Sequence, residues 1–102
     1  MSTIPVERLR ELAEPLVTLS LSHLSPSTRR KLRANVLSVN AYPTEFGGLV
    51  FVGAPRHRIP AESDLAAIEA IVEHAGVAWL LFDAEAPVVD GLPLFSPDEP
   101  TN

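Results

Sequence analysis

Apolar residues change rhythm several times along this chain, and each rhythm predicts an element. Val6, Leu9 and Ala13 share one helical face with Leu12 beside them, which predicts a helix from about Ile4 to Glu14. Thr3 suits its cap and Pro5 its first turn, while Pro15 disfavours helical geometry at Glu14 and ends it. Val17, Leu19 and Leu21 then alternate with Thr18 and Ser20, the period of a strand with one buried face. Ser25 and Pro26 fit the N-cap and first position of a second helix running to about Asn35, with Thr28, Leu32 and Val36 facing inward.

Residues 37–48 lack a clear period and carry Asn40, Pro43, Gly47 and Gly48, so they read mainly as a connection. Leu49-Val50-Phe51-Val52 is a short β-rich run, followed by a basic loop through Arg56, His57 and Arg58. The third helix is expected to pack through Leu65, Ile68, Ile71, Val72 and Ala75, with Glu62, Glu69 and Glu73 turned away and Gly76 as a left-handed C-cap. The unbroken run Val77-Ala78-Trp79-Leu80-Leu81-Phe82 predicts a central strand with Trp79 buried. Asp90-Gly91 predicts a turn into an edge strand over Leu92–Phe95, where Pro93 is tolerated.

The expected order is therefore α-β-α-β-α-β-β. It implies a small two-layer α/β sandwich with a three- to four-stranded, mostly parallel sheet and one antiparallel edge strand. Residues 1–95 would form one domain and residues 96–102 a frayed tail.

Composition narrows the chemistry. The 102 residues include no cysteine, which removes disulfides, zinc–thiolate sites and cysteine nucleophiles from this chain. No run approaches the roughly 18 apolar residues of a membrane span, and residues 1–8 do not read as a secretory signal. The expectation is a cytoplasmic protein without a membrane partner. Charge is uneven: residues 1–51 hold six basic and four acidic residues, and residues 52–102 hold two basic and nine acidic, for a total of −5. No Lys or Arg follows Arg58.

Four segments carry a resemblance. They are Leu21-Ser22-His23-Leu24-Ser25-Pro26-Ser27-Thr28; Tyr42-Pro43-Thr44-Glu45-Phe46-Gly47-Gly48; Ile59-Pro60-Ala61-Glu62; and Trp79-Leu80-Leu81-Phe82-Asp83 leading to Val89-Asp90-Gly91-Leu92-Pro93. In this order, over roughly residues 17–95, they resemble a family of small bacterial proteins of unknown function carried on plasmids, integrative elements and phage-like islands. The resemblance implies a mobile-element setting and a cytoplasmic protein, and it implies no activity. The chain departs from the pattern at Asp83-Ala84-Glu85, where a basic residue between two acids is more usual.

The carboxyl ends of parallel strands are the usual functional side of such a sheet. That edge would collect His23, Asp83 with Glu85, and the Arg56-His57-Arg58 loop, an acid–base pair beside anion-holding guanidiniums. The bland alternative is that His23 bridges a turn and Asp83 caps its loop. His23, His57 and Asp83 can ligate metals, but His74 stands alone and no H-x-x-x-H pair exists, so no metal site is assigned. Gly47-Gly48 precedes a strand instead of opening a helix and is not a phosphate loop, and no cofactor is implied. Arg29, Arg30, Lys31 and Arg33 form the sharpest charge cluster and, with Arg56 and Arg58, are the candidate binding residues. No stacking aromatics are interleaved and the chain is acidic, which disfavours nucleic acid against an acidic protein surface or self-association.

The reading that results is a non-enzymatic interaction or accessory protein of a bacterial mobile element, acting through charged surfaces. An inhibitor of a host defence nuclease is one specific form. The alternative is a small enzyme using His23 and Asp83.

Overall fold

The computed structural model describes residues 3–53, 56 and 58–95. Three helices and four strands follow in the order α1 (Thr3–Leu12), β1 (Leu16–Ser20), α2 (Pro26–Arg33), β2 (Ala41–Thr44), β3 (Gly47–Phe51), α3 (Ser63–Glu73) and β4 (Trp79–Asp83), with a 3-10 turn at Leu21–His23. The strands form one mixed sheet ordered β1-β4-β3-β2. Only β1 and β4 are parallel; β3 runs antiparallel to both β4 and β2.

The two-layer α/β class is as expected, but the sheet is mostly antiparallel and the element order is α-β-α-β-β-α-β. Two strands account for the difference. Residues 41–44 pair with β3 as a hairpin, which the sequence hides because Pro43 sits in the run. Phe51 N–H donates to Asn40 O at 2.9 Å, and alternation from that bond places Pro43 at a non-bonded position with its nitrogen turned outward. Residues 92–95, expected as the edge strand, are irregular. The tail 96–102 and His57 lie outside the described residues.

One face of the sheet, formed by Val17, Leu19, Leu80, Phe82, Val50 and Ala41, meets α2 and α3. Leu65, Ile68 and Val72 of α3 join it, as the helical spacing predicts. Ile71 and Ala75 do not; both are exposed. Glu69 is wholly buried and Glu62 nearly so, contrary to their expected outward placement.

Helix ends are set locally. Ser25 Oγ accepts the Thr28 N–H at 3.3 Å, as expected of this N-cap. Helix α2 stops at Arg33, two residues before the predicted end, because Asn35 takes a left-handed φ of 61° and Val36 N–H reaches back to Lys31 O at 2.9 Å. Val36 is consequently exposed. Gly76 caps α3 with φ 73°, as expected. Helix α1 projects the exposed side chains Val6, Leu9 and Leu12.

Gly47 and Gly48 have a packing reason. A Cβ on Gly47 would strike the Phe82 carbonyl, and one on Gly48 would enter the Leu32 side chain. These two positions let β3 approach β4 and let α2 lie close on the sheet.

Candidate interaction surface

Strand direction decides which candidate residues meet. Asp83 ends β4 beside Ser20, the last residue of β1, so His23 and Asp83 do belong to one end of the sheet. Phe51 ends β3 beside Trp79, the first residue of β4, so the chain leaves β3 at the opposite end. Arg56 and Arg58 are therefore separated from His23 and Asp83. The β2–β3 turn takes their place: Gly47 pairs with Asp83, and Ala84 N–H donates to Phe46 O at 2.8 Å.

His23 is wholly buried. Its Nε2 accepts the Val89 N–H at 3.0 Å and its Nδ1 meets Pro93 O at 2.7 Å. A carbonyl accepts only, so Nδ1 carries the proton and the ring is the neutral Nδ1–H tautomer. Both nitrogens thus hold backbone of the segment after β4. Asp83 Oδ1 accepts the Glu85 N–H at 2.8 Å and closes the turn that follows the strand.

The basic cluster is divided. Arg29 is buried, its Nε donating to Leu24 O at 2.8 Å and Leu21 O at 3.2 Å and its guanidinium reaching Phe95 O at 3.3 Å. Arg30, Lys31 and Arg33 are exposed, with Lys31 Nζ 3.9 Å from Glu62. Arg56 pairs with Glu73 at 3.5 Å, and Arg58 donates to Ser38 O at 3.2 Å.

A pocket of about 330 Å³ opens at the His23–Asp83 end, between α2 and the β2–β3 turn. Leu21, Leu32 and Phe46 give it apolar walls, and Arg33, Thr44 and Glu45 stand among its polar groups. Phe46 is 48% exposed. Helical position carries Arg33 to this mouth one turn beyond Arg29, and the turn residues Glu45-Phe46 close it from the other side.

A family model for the C-terminal domain of the family of unknown function DUF5983 matches residues 16–97. The chain belongs to this family. No curated protein and no solved structure matches it. The DUF5983 match begins where β1 begins and leaves α1 outside.

In the DUF5983 domain the described residues hold no group of three or more His, Asp or Glu side chains arranged for a metal ion. They do hold a second polar cluster at the far end of the sheet. Ser38 Oγ donates to Glu62 Oε1 at 2.6 Å and accepts the Ala61 N–H at 2.8 Å. Beside it, burial pushes the Glu69 carboxyl up to about 7; Arg56 pulls it down in part and Glu62 raises it further. Among the described residues neither Glu69 oxygen has a hydrogen-bond partner. Asp64 shows the opposite balance. Burial raises it, but the Ser25 N–H at 2.8 Å and the Thr28 hydroxyl at 2.7 Å outweigh that and hold it below the usual carboxylate value.

Phe46, Ser38 and Asp64 are not among the candidates the sequence offers, and Glu69 is read there as turned away. Phe46 lay in a segment read as connection, though an aromatic before Gly-Gly is a usable signal for an exposed turn. Glu69 lies at i+4 from Leu65 and i−3 from Val72, spacing that already places it beside the apolar face.

Proposed function

We propose that the protein is a binding module that takes a side chain of a protein partner into the pocket between α2 and the β2–β3 turn. The observation that carries this is the pocket itself, which exposed Phe46 and exposed Arg33 both line. An apolar wall beside a cation fits a segment bearing an acidic residue next to an apolar one. The engagement of both His23 nitrogens with backbone supports binding over acid–base chemistry. Exposed Arg30 and Lys31 extend positive charge along the same helix and favour an acidic protein surface. The mobile-element setting, a cytoplasmic location and the specific role of blocking a host defence nuclease belong to this proposal and rest on the family resemblance and the chain's acidity.

Affinity capture from the native host with the parent and with Arg33→Glu tests it. The expected result is a protein retained by the parent and lost by the variant. Equal recovery by both would contradict the pocket. Tight duplex DNA binding lost with Arg30 and Arg33 would move the protein to the nucleic-acid class, and turnover lost in a folded His23→Gln variant would move it to the enzymes.

A further inference from the structure

Strand β1 is an open edge of the sheet, and one hydrogen bond shows which way its peptide groups point. Trp79 N–H donates to Pro15 O at 3.1 Å. In a parallel ladder alternate residues turn both peptide groups to the same side. Val17 and Leu19 therefore face β4, while Leu16 and Thr18 turn N–H and C=O outward. Both residues are exposed, and no described backbone group meets those outward groups.

The two edges of the sheet are not alike. On β2 the outward position at residue 43 is a proline, which has no N–H to offer. Strand β1, Leu16-Val17-Thr18-Leu19-Ser20, has no proline and no charge. Nothing in its composition blocks pairing.

Apolar surface flanks this edge on both sides. Leu16 is 49% exposed on the face away from the helices. On the helical side Val17, Ile71, Val89 and Leu92 line a groove of about 300 Å³, with Ile71 50% and Val89 43% exposed.

We infer that β1 pairs antiparallel with β1 of a second copy of this chain, making one continuous eight-stranded sheet. A two-fold axis at Val17 sets Leu16 opposite Thr18 in each direction, so the outward groups of both strands bond reciprocally. Val17 then faces Val17 as a non-bonded pair, the closer of the two antiparallel spacings at about 4.5 Å between Cα atoms. The two grooves meet in one apolar layer. A foreign strand would satisfy the peptide groups, but Ile71 and Val89 need a partner that brings its own apolar groove on the same side. A second copy does so by symmetry. Charge opposes it little locally, because among the described residues Asp90 is the one ionisable residue lining the groove although the chain carries −5. This surface is distinct from the α2 pocket, and either reading stands or fails without the other.

Sedimentation velocity over a range of micromolar concentrations, at low and high salt, tests the inference on the full chain. The parent should be a dimer whose dissociation is nearly insensitive to salt, since backbone bonds and apolar contacts hold it. Thr18→Pro deletes an outward N–H that β4 does not use and should give a folded monomer; Thr18→Lys should do the same by charge. Tyr42→Lys, near the other edge, should leave the dimer intact. A monomeric parent at the highest concentration, a dimer surviving both Thr18 changes, or a dimer that dissociates as salt rises would each overturn it. If the variants fail to fold, amide exchange on the parent decides: protection of Leu16 and Thr18 should rise with concentration, and flat exchange overturns the inference.

Discussion

Val89 donates its N–H to His23 Nε2 at 3.0 Å, across 66 residues of sequence, and so ties the segment after β4 to the turn after β1. With Pro93 O on the other nitrogen, the imidazole is a clamp between two stretches of irregular backbone. His23→Ala empties a wholly buried site and leaves the part-buried Val89 N–H and Pro93 carbonyl unpaired. It should cost on the order of 2–4 kcal/mol and speed amide exchange over residues 84–95. Nitrogen-resolved NMR should report the Nδ1–H tautomer. A variant that melts and exchanges like the parent would remove the clamp.

Glu69 predicts a pH dependence. Its carboxyl is pushed up from 4.5 to about 7, so the folded state holds this proton more tightly than the unfolded chain. The stability it contributes is full below about pH 4.5, falls as pH rises through that window, and is lost above about 7. Asp64 works in the other sense but below its ordinary 3.8, outside the window. Relative to Glu69→Gln, the parent should lose about 3 kcal/mol between pH 4.5 and 8. Urea melts of both proteins at pH 5 and pH 8 check this; parallel losses would contradict the buried carboxyl.

Gly48 and Leu32 should be energetically coupled. A methyl on Gly48 enters the Leu32 side chain, which must shift to admit it, so Gly48→Ala should cost about 1–3 kcal/mol. Shortening Leu32 to Ala opens the space, and the double variant should be less destabilised than the sum of the two changes. Gly47→Ala meets backbone, which cannot repack, and should be the worse change. Additive denaturation energies for Gly48 and Leu32 would show that the helix does not rest there.

Trp79 is half-buried, on the face of the sheet away from the helices, where the sequence predicts a buried residue. Its Nε1 donates to Glu14 Oε1 at 2.7 Å and its ring lies 4.7 Å from that of Phe51. The loss on Trp79→Ala should therefore fall at or below the low end of the roughly 3–5 kcal/mol seen for fully buried aromatics. Emission should lie between the buried and water-exposed limits and move to longer wavelength in Glu14→Ala. A short-wavelength maximum unchanged by that substitution would contradict the placement.

Most of the helices could be read because their signals are local. The Ser25-Pro26 start, the Leu65–Ile68–Val72 face and the Gly76 cap each depend on neighbours within about two turns. The sheet could not be read fully because its order is non-local. Nothing within Leu49–Phe51 tells whether β3 runs with or against β4, and that direction removes Arg56 and Arg58 from the His23 end. The Trp79 run is apolar throughout, so its pattern could not show that one face stays uncovered. Arg29 belonged to a run of four cations, and only tertiary packing turned it onto the carbonyls of Leu21 and Leu24.

The binding account is tested most directly by a photo-reactive phenylalanine analogue at position 46, illuminated in cells of the native host. Phe46 lines the pocket and is exposed, so the probe replaces it with little disturbance. The account predicts a covalent adduct with one protein, abolished by Arg33→Glu in the same chain. No adduct, an adduct with nucleic acid, or a protein adduct indifferent to Arg33 would contradict it.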